Sequence, residues 1–324
     1  MQGLVSAIIP VYNRASLLRE AVASVLAQTY RPIEIIIVND GSDDGTPHAA
    51  DALAAAHTSE IRVLHQSNSG PGLAREAGRS VAKGEFIQYL DSDDVLLPRK
   101  FELQAAALRQ RSDCGVAYGK TNYRAREPDD ELRELRPWKR TGERIESMFP
   151  SFLHSRWWGT STPLYRRTLT DQSGPWLGLS NEEDWEYDCR MAALGVRLVF
   201  VNEFVSEERD HGGARLSHGG STSQAKLKDR AVAHSLIFKH ALRARIHTDD
   251  AEMQHFAREL FLLARQCGAA GLDAESRQLF NLARSASGES RADGIDFRLY
   301  QIAARILGWS LVGRLACSAD RLRK

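Results

Sequence analysis

Residues 84–94 read GEFIQYLDSDD. Phe86, Ile87, Tyr89 and Leu90 form a short apolar run of β-formers, bounded by Gly84 before it and by carboxylates after it. Such a run predicts a strand buried in a parallel sheet. Asp91, Asp93 and Asp94 then crowd together at the carboxyl end of that strand. In open α/β sheets ligands bind outside the carboxyl ends of strands. Carboxylates so close repel one another and favour a counter-ion, and hard oxygen donors suit Mg²⁺ or Mn²⁺. The competing reading is an acidic turn ahead of the next helix, which Pro98 would help to begin.

Working outward, the first half of the chain alternates. Val5–Ile9 reads as a strand, and Leu17, Leu18, Ala21, Val22, Val25 and Leu26 recur at helical spacing. Ile33–Val38 is a continuous β-branched run, so both of its faces should be covered. A helix is expected over about 46–57, a strand over Ile61–His65, and a Gly-rich turn at Ser69–Gly72 opens another helix. The pattern predicts an α/β fold with a doubly wound, mostly parallel sheet flanked by helices. Neither GxGxxG after the first strand nor GxxxxGK[ST] is present, which argues against dinucleotide and P-loop sites.

Strand ends in this half carry useful chemistry. Pro10-Val11-Tyr12-Asn13-Arg14 is a turn that offers an aromatic ring to a base. Asp40, within Asn39–Thr46, offers an acceptor to a base or ribose. In Asn68–Arg75 the glycines admit a phosphate to the backbone, with Arg75 in the first helical turns.

In this order and spacing, SAIIPVYNR, IEIIIVNDGSDDGT, NSGPGLAREAG and KGEFIQYLDSDD resemble the family 2 glycosyltransferases of the GT-A fold. The resemblance implies an inverting enzyme that takes a nucleotide-diphosphate sugar, UDP-linked by expectation, with Mn²⁺ or Mg²⁺. It implies a nucleotide pocket made by Pro10, Tyr12, Asn13, Asp40, Arg75, Asp91 and Ser92, with the metal at Asp93. It places the general base in the acidic pair opening a helix, Glu183-Asp184: Asp184 as base, Glu183 as acceptor ligand or alternative base. A later polar loop, Arg209–His218, would close on the diphosphate, with His211 on metal or phosphate and Arg215 offsetting leaving-group charge. Glu76 departs from the pattern, since the family often has Asn there.

The acceptor half is less legible. Gly115–Tyr118, Leu164–Arg167 and Arg197–Val201 read as strands, and the charge-dense 124–144 segment as a solvated loop. Trp157 and Trp158 are adjacent, cannot share one core face of a regular strand, and are expected to stack on acceptor sugar rings. The alternative puts one ring in the core and one at an interface.

The expected catalytic domain is 1–223, divided into a nucleotide-binding half (1–94) and an acceptor-binding half (95–223). Residues 224–324 form an α-helical C-terminal extension containing one helical hairpin broken at Gly268–Gly271. The tail, 293–324, mixes apolar residues with Arg298, Arg305, Arg314, Arg321, Arg323 and Lys324, as an interfacial helix on an anionic membrane does. The alternative is a helix packed on the protein.

The formal charge of +1 gives no bias toward nucleic acid, and the four separated cysteines suggest neither a disulfide framework nor a thiolate metal site. No basic leader precedes the first strand, so a cytoplasmic bacterial protein is expected, peripheral at the inner face of the membrane if the tail binds lipid. The expected partners are the donor and a glycan or lipid-linked acceptor. Three other readings compete. A nucleotidyltransferase needs a Gly-rich basic loop that Pro10–Arg14 lacks. A nucleotide-sugar hydrolase would use the same metal site, and a non-catalytic nucleotide-sugar-binding module would not need Asp40, Asp91, Asp93 and Asp184.

Overall fold

A computed structural model describes residues 1–125, 134–210 and 223–322. It divides into two compact units. The first comprises the described residues of Met1–Ser147, Trp157–Gly178 and Gly195–Gly213; the second comprises those of Met148–Arg156, Leu179–Leu194 and Ala214–Lys324.

The first unit contains a mixed sheet flanked by helices. Its elements begin β1 (Val5–Val11), α1 (Ala15–Leu26), β2 (Ile33–Asp40), α2 (Thr46–Ala56), β3 (Ile61–Gln66), α3 (Pro71–Val81) and β4 (Phe86–Tyr89). The unit continues with β5 (Val95–Leu96), α4 (Lys100–Gln110), β6 (Cys114–Arg124), β7 (Leu164–Arg166) and α5 (Arg167–Ser173). The order across the sheet is β3-β2-β1-β4-β7-β6-β8-β5, where β8 is Arg197–Arg209. β1 pairs in parallel with both β2 and β4. The chain winds one way to β3, then returns to the other side of β1, which makes β1/β4 a topological switch point whose crevice lies at the strands' carboxyl ends.

Burial follows the sequence closely here. Ile35, Ile36, Ile37 and Val38 are at most 1% exposed, covered on both faces. Leu18, Val22 and Val25 of α1 and Phe101, Ala105 and Leu108 of α4 share one core with alternate residues of β1 and β2. Beyond β4 the sheet departs from a simple parallel pattern, since β7 runs antiparallel to both β4 and β6. β6 and β8 are far longer than their apolar centres suggested, because they pair with each other through several register shifts.

The second unit is helical: α6 (Glu183–Ala192), α7 (Gln224–Arg243), α8 (Ala251–Ala269), α9 (Asp273–Ala286), α10 (Glu289–Ala292), α11 (Ile295–Leu307) and α12 (Trp309–Leu322). α8 and α9 form the expected hairpin, with Gly271 supplying the left-handed residue (φ +80°) of the turn. The tail is two helices, broken at Gly308 (φ +83°). One of its faces is packed: Phe297 and Tyr300 meet Phe261 at centroid distances of 4.9 and 5.1 Å. α12 crosses α8 at Gly313, where an added Cβ would lie 2.5 Å from the Ala269 backbone nitrogen. The expectation of a packed helix therefore holds for one side of the tail.

Candidate active site

The loops at the switch point are joined to each other. Asn13 takes a left-handed conformation (φ 50°) after β1. Its backbone N–H donates to Ser42 Oγ (3.0 Å), its Nδ2 donates to Asp43 Oδ1 (2.6 Å), and its Oδ1 accepts from Asp43 N (3.0 Å). Asp40, ending β2, is buried and accepts from Gln66 Nε2 (2.8 Å), Ser69 N (2.8 Å) and Gly70 N (2.9 Å). It thereby shapes the Gly-rich turn ahead of α3. Gly41 is required beside it: φ is +73°, and a Cβ would sit 2.5 Å from Asn68 N. Tyr12 is 46% exposed on the rim, and Pro10 is half-buried near the end of β1.

The acidic turn after β4 is surrounded by arginines. Arg75, its side chain 5% exposed, reaches Asp91 at 2.8 Å and lies 4.9 Å from the Trp176 ring centroid. Arg14 Nη1 lies 2.9 Å from Asp93 Oδ2, and Arg209 Nε donates to the Asp93 carbonyl at 2.8 Å while also pairing with Glu20. Ser92 is buried. Asp94 is buried too, and takes a hydrogen bond from Ser161 Oγ (2.6 Å), which itself accepts from Asp91 N (3.2 Å). Burial, then the adjacent Asp93 and Asp91 charges, push the Asp94 carboxyl well above the ordinary range. Beneath the turn, buried Lys100 donates to the Thr162 carbonyl (2.6 Å), and burial lowers its proton affinity. Arg14, Trp176, Ser161 and Lys100 were not assigned to the site from sequence, and of these only Arg14, lying inside a quoted motif, carried a signal. Arg209 opened the polar loop expected to close on the diphosphate, and it is the last residue of β8.

Among the described residues no group of three His, Cys, Asp or Glu is placed to hold a metal. Mg²⁺ and Mn²⁺ sites on nucleotides commonly need only one or two carboxylates, the substrate phosphates and water completing the shell. Asp93, with a 15% exposed side chain in a turn of hard oxygen donors, fits that requirement. His211 lies outside the described residues, as does Arg215.

The second unit holds the other acidic cluster. Glu182 caps α6 in a left-handed conformation (φ 60°), 2.8 Å from Arg230 Nε and 2.9 Å from His234 Nδ1. Glu183 is 7% exposed. Asp184 Oδ2 lies 2.5 Å from Arg156 Nη1, and its Oδ1 accepts from Trp185 N (2.7 Å). The Asp184 side chain is 30% exposed. Arg156 Nε also binds fully buried Asp188 at 2.7 Å. Glu186, 1% exposed, lies 2.5 Å from Arg190 and 2.9 Å from His240. Burial acts to raise Glu182 and Glu186, but their basic partners outweigh it and hold both below the ordinary carboxylate range.

The tryptophan expectation is corrected. Trp157 is 3% exposed and Trp158 0%. They sit in an irregular segment, so strand alternation does not apply and both rings turn inward. Trp158 packs on Tyr118 (5.1 Å), and the Arg140 guanidinium covers Trp157 at 3.8 Å. Neither ring presents a face to a sugar.

Comparison with known proteins adds the following. Residues 6–169 match the sequence profile described as Glycosyl transferase family 2. Glycosyltransferase GlyG of Streptococcus pneumoniae is 40% identical over 124 residues, 38% of this chain and 40% of that protein. The putative glycosyltransferase EpsH of Bacillus subtilis is 31% identical over 217 residues, 64% and 61% respectively. The matched part spans less than two thirds of these relatives. Among solved structures, S. aureus TarS 1-349 in complex with UDP-GlcNAc superposes with a TM-score of 0.70 at 19% identity, covering 99% of this chain and 92% of that one. PcManGT, a mannosyltransferase from Pyrobaculum calidifontis in complex with GDP-Man and Mn²⁺, gives 0.52 at 18% identity, covering 98% and 86%.

Proposed function

The chain belongs to glycosyl transferase family 2, and on that premise we propose that it transfers a sugar from a nucleotide-diphosphate donor, UDP-linked, to an acceptor hydroxyl with inversion. The observation that carries this reading is the crowding of Asp40, Arg14, Asp91 and Asp93 at the carboxyl ends of β2, β1 and β4, with Arg75 reaching Asp91 from the first turns of α3. Arginines and backbone amides suit a diphosphate, buried Asp40 is a fixed acceptor for a base or ribose, and exposed Tyr12 offers a stacking face. Ser92, Asn13 and Pro10 shape that pocket. A divalent ion, when bound, would be held by Asp93 and would offset charge on the leaving diphosphate.

Asp184 is the proposed base, with Glu183 as acceptor ligand or alternative base. An acid in the first turn of a helix is favoured as the anion, and Arg156 fixes the orientation of Asp184. In this reading Asp184 takes the acceptor proton while the hydroxyl attacks the anomeric carbon in line. Support for a sugar-nucleotide donor comes from neighbours of the same fold whose names record UDP-GlcNAc and GDP-Man. A glycan or lipid-linked acceptor and a role in polysaccharide biosynthesis complete the proposal.

The test is a thermal-shift panel of nucleotide sugars with and without Mn²⁺, followed by product analysis. A donor at about 100 times its dissociation constant stabilises the protein by roughly 2.7 kcal/mol. One donor should raise the melting temperature, and more so with Mn²⁺. If no member of a UDP, GDP and CMP sugar panel does so, the reading fails. Stabilisation with release of free sugar only, whatever acceptor is offered, would make the protein a hydrolase instead.

A further inference from the structure

Helices α11 and α12 have two contrasting faces. Phe297, Tyr300 and Ala304 of α11, with Val312 and Gly313 of α12, are buried. On the other side Ile295 (77%), Leu299, Ile302 and Ile306 (75%) are exposed along α11, and Leu307, Leu311 and Leu315 continue the exposure into α12. At about 100° per residue, positions 295, 299, 302 and 306 fall within roughly 60° of one another and opposite the buried set. This is a stripe and not scatter: among the described residues, seven of the fifteen exposed large hydrophobic side chains lie between Ile295 and Leu315.

Charge identifies the occupant. Arg298, Arg305 and Arg314 are exposed beside the stripe. Of the nearby acids, Asp293 is paired with Arg284 and Asp320 with Arg265, and Asp273 accepts a hydrogen bond from Ser310 at the start of α12 (2.6 Å), while Asp296 is the acid that α11 itself exposes. A second copy docking on this face would bring arginine-rich borders together, whereas anionic headgroups neutralise them. None of the described helices is long and apolar enough to cross a bilayer. We infer that the exposed face of α11 and α12 lies in the headgroup region of an anionic membrane, with Ile295, Leu299, Ile302, Ile306, Leu311 and Leu315 entering the acyl boundary. Apolar area and basic residues supply separate parts of such binding. The inference stands independently of the proposed transfer reaction.

The full chain should be sedimented with phosphatidylcholine vesicles, and with vesicles containing about one third phosphatidylglycerol, at low and high salt. Binding should require phosphatidylglycerol and weaken with salt. Ile302→Ser with Ile306→Ser should cut the partition coefficient at least tenfold, with circular dichroism and melting temperature unchanged because both side chains are already in solvent. Arg298→Gln with Arg305→Gln should cost about fivefold per arginine. Absence of sedimentation with the anionic vesicles would overturn the inference, as would unaltered binding by the isoleucine variant. So would a concentration-dependent dimer, seen by light scattering and abolished by the isoleucine pair, in a protein that ignores vesicles.

Discussion

Asp91–Asp94 and Glu182–Asp184 look alike in sequence, each with three acids in a few residues, but the fold treats them differently. In the sheet unit the buried acid, Asp94, is held by the Ser161 hydroxyl, and burial beside other carboxylates raises its proton affinity. The arginines there go to the more exposed Asp91 and Asp93. In the helical unit the cations go to the interior. Asp188 has Arg156, Glu186 has Arg190 and His240, and Glu182 has Arg230 and His234. Burial alone therefore does not set the sign of an acid's shift. What sets it is whether the chain delivers a cation to the same place. The first cluster keeps its charge facing outward, as a ligand site needs; in the second, Glu182 uses its charge to hold α6 to α7, while Asp184 stays partly exposed.

That contrast can be broken most severely at Asp93. Asp93→Ala should abolish the Mn²⁺-dependent part of UDP binding, read by isothermal titration, while circular dichroism stays as in the parent. Metal-dependent binding that survives the change would remove Asp93 from the metal site. Asp184→Asn sharpens the contrast on the other side. General-base catalysis is worth about 10²–10⁴-fold, so transfer should fall by that order while donor affinity stays within a few-fold. If Asp184→Asn turns over normally and Glu183→Gln does not, the base is Glu183. If both remain active, the acids at this helix start serve structure alone.

The smallest expected effect is a pH slope. Glu186 has a folded value held below its ordinary 4.5 by His240 and Arg190 despite burial. A depressed carboxylate contributes stability that is complete above the unfolded value and is lost as pH falls through the folded one. Denaturation midpoints should therefore decline below about pH 4.5, and Glu186→Gln should flatten that decline. An unchanged acid limb in the variant would show that the His240–Glu186–Arg190 network adds no pH-linked stability.

The sheet half was legible because its strands are continuous apolar runs whose ends carry the polar groups, so pattern and position coincide. Val5–Val11, Ile33–Asp40 and Phe86–Tyr89 all begin where the β-branched or aromatic runs predicted. Ser161 and Lys100 were not legible, because a buried hydroxyl or ammonium is chosen by neighbours distant in sequence: Ser161 bridges to Asp94, Lys100 to Thr162. Trp157 and Trp158 misled because alternation was assumed for a segment with no regular structure. The tail was half legible. Its apolar and basic content was plain, but periodicity alone does not say which face of a helix a neighbouring glycine lets in, and Gly313 against Gly268 decided that.

The hydrogen bonds between Asn13 and the Ser42–Asp43 turn, together with those that the Ser69 and Gly70 amides donate to Asp40, tie three loops into one rim before any ligand arrives. The ordering of those loops is completed when the chain folds. A nucleotide entering such a rim meets donors and acceptors at fixed positions, so little conformational entropy is lost on association and discrimination between bases rests on geometry. Severing the rim at Asp43, by Asp43→Ala, would change the calorimetric character of binding, adding an entropic cost, although every group assigned to the nucleotide is still present.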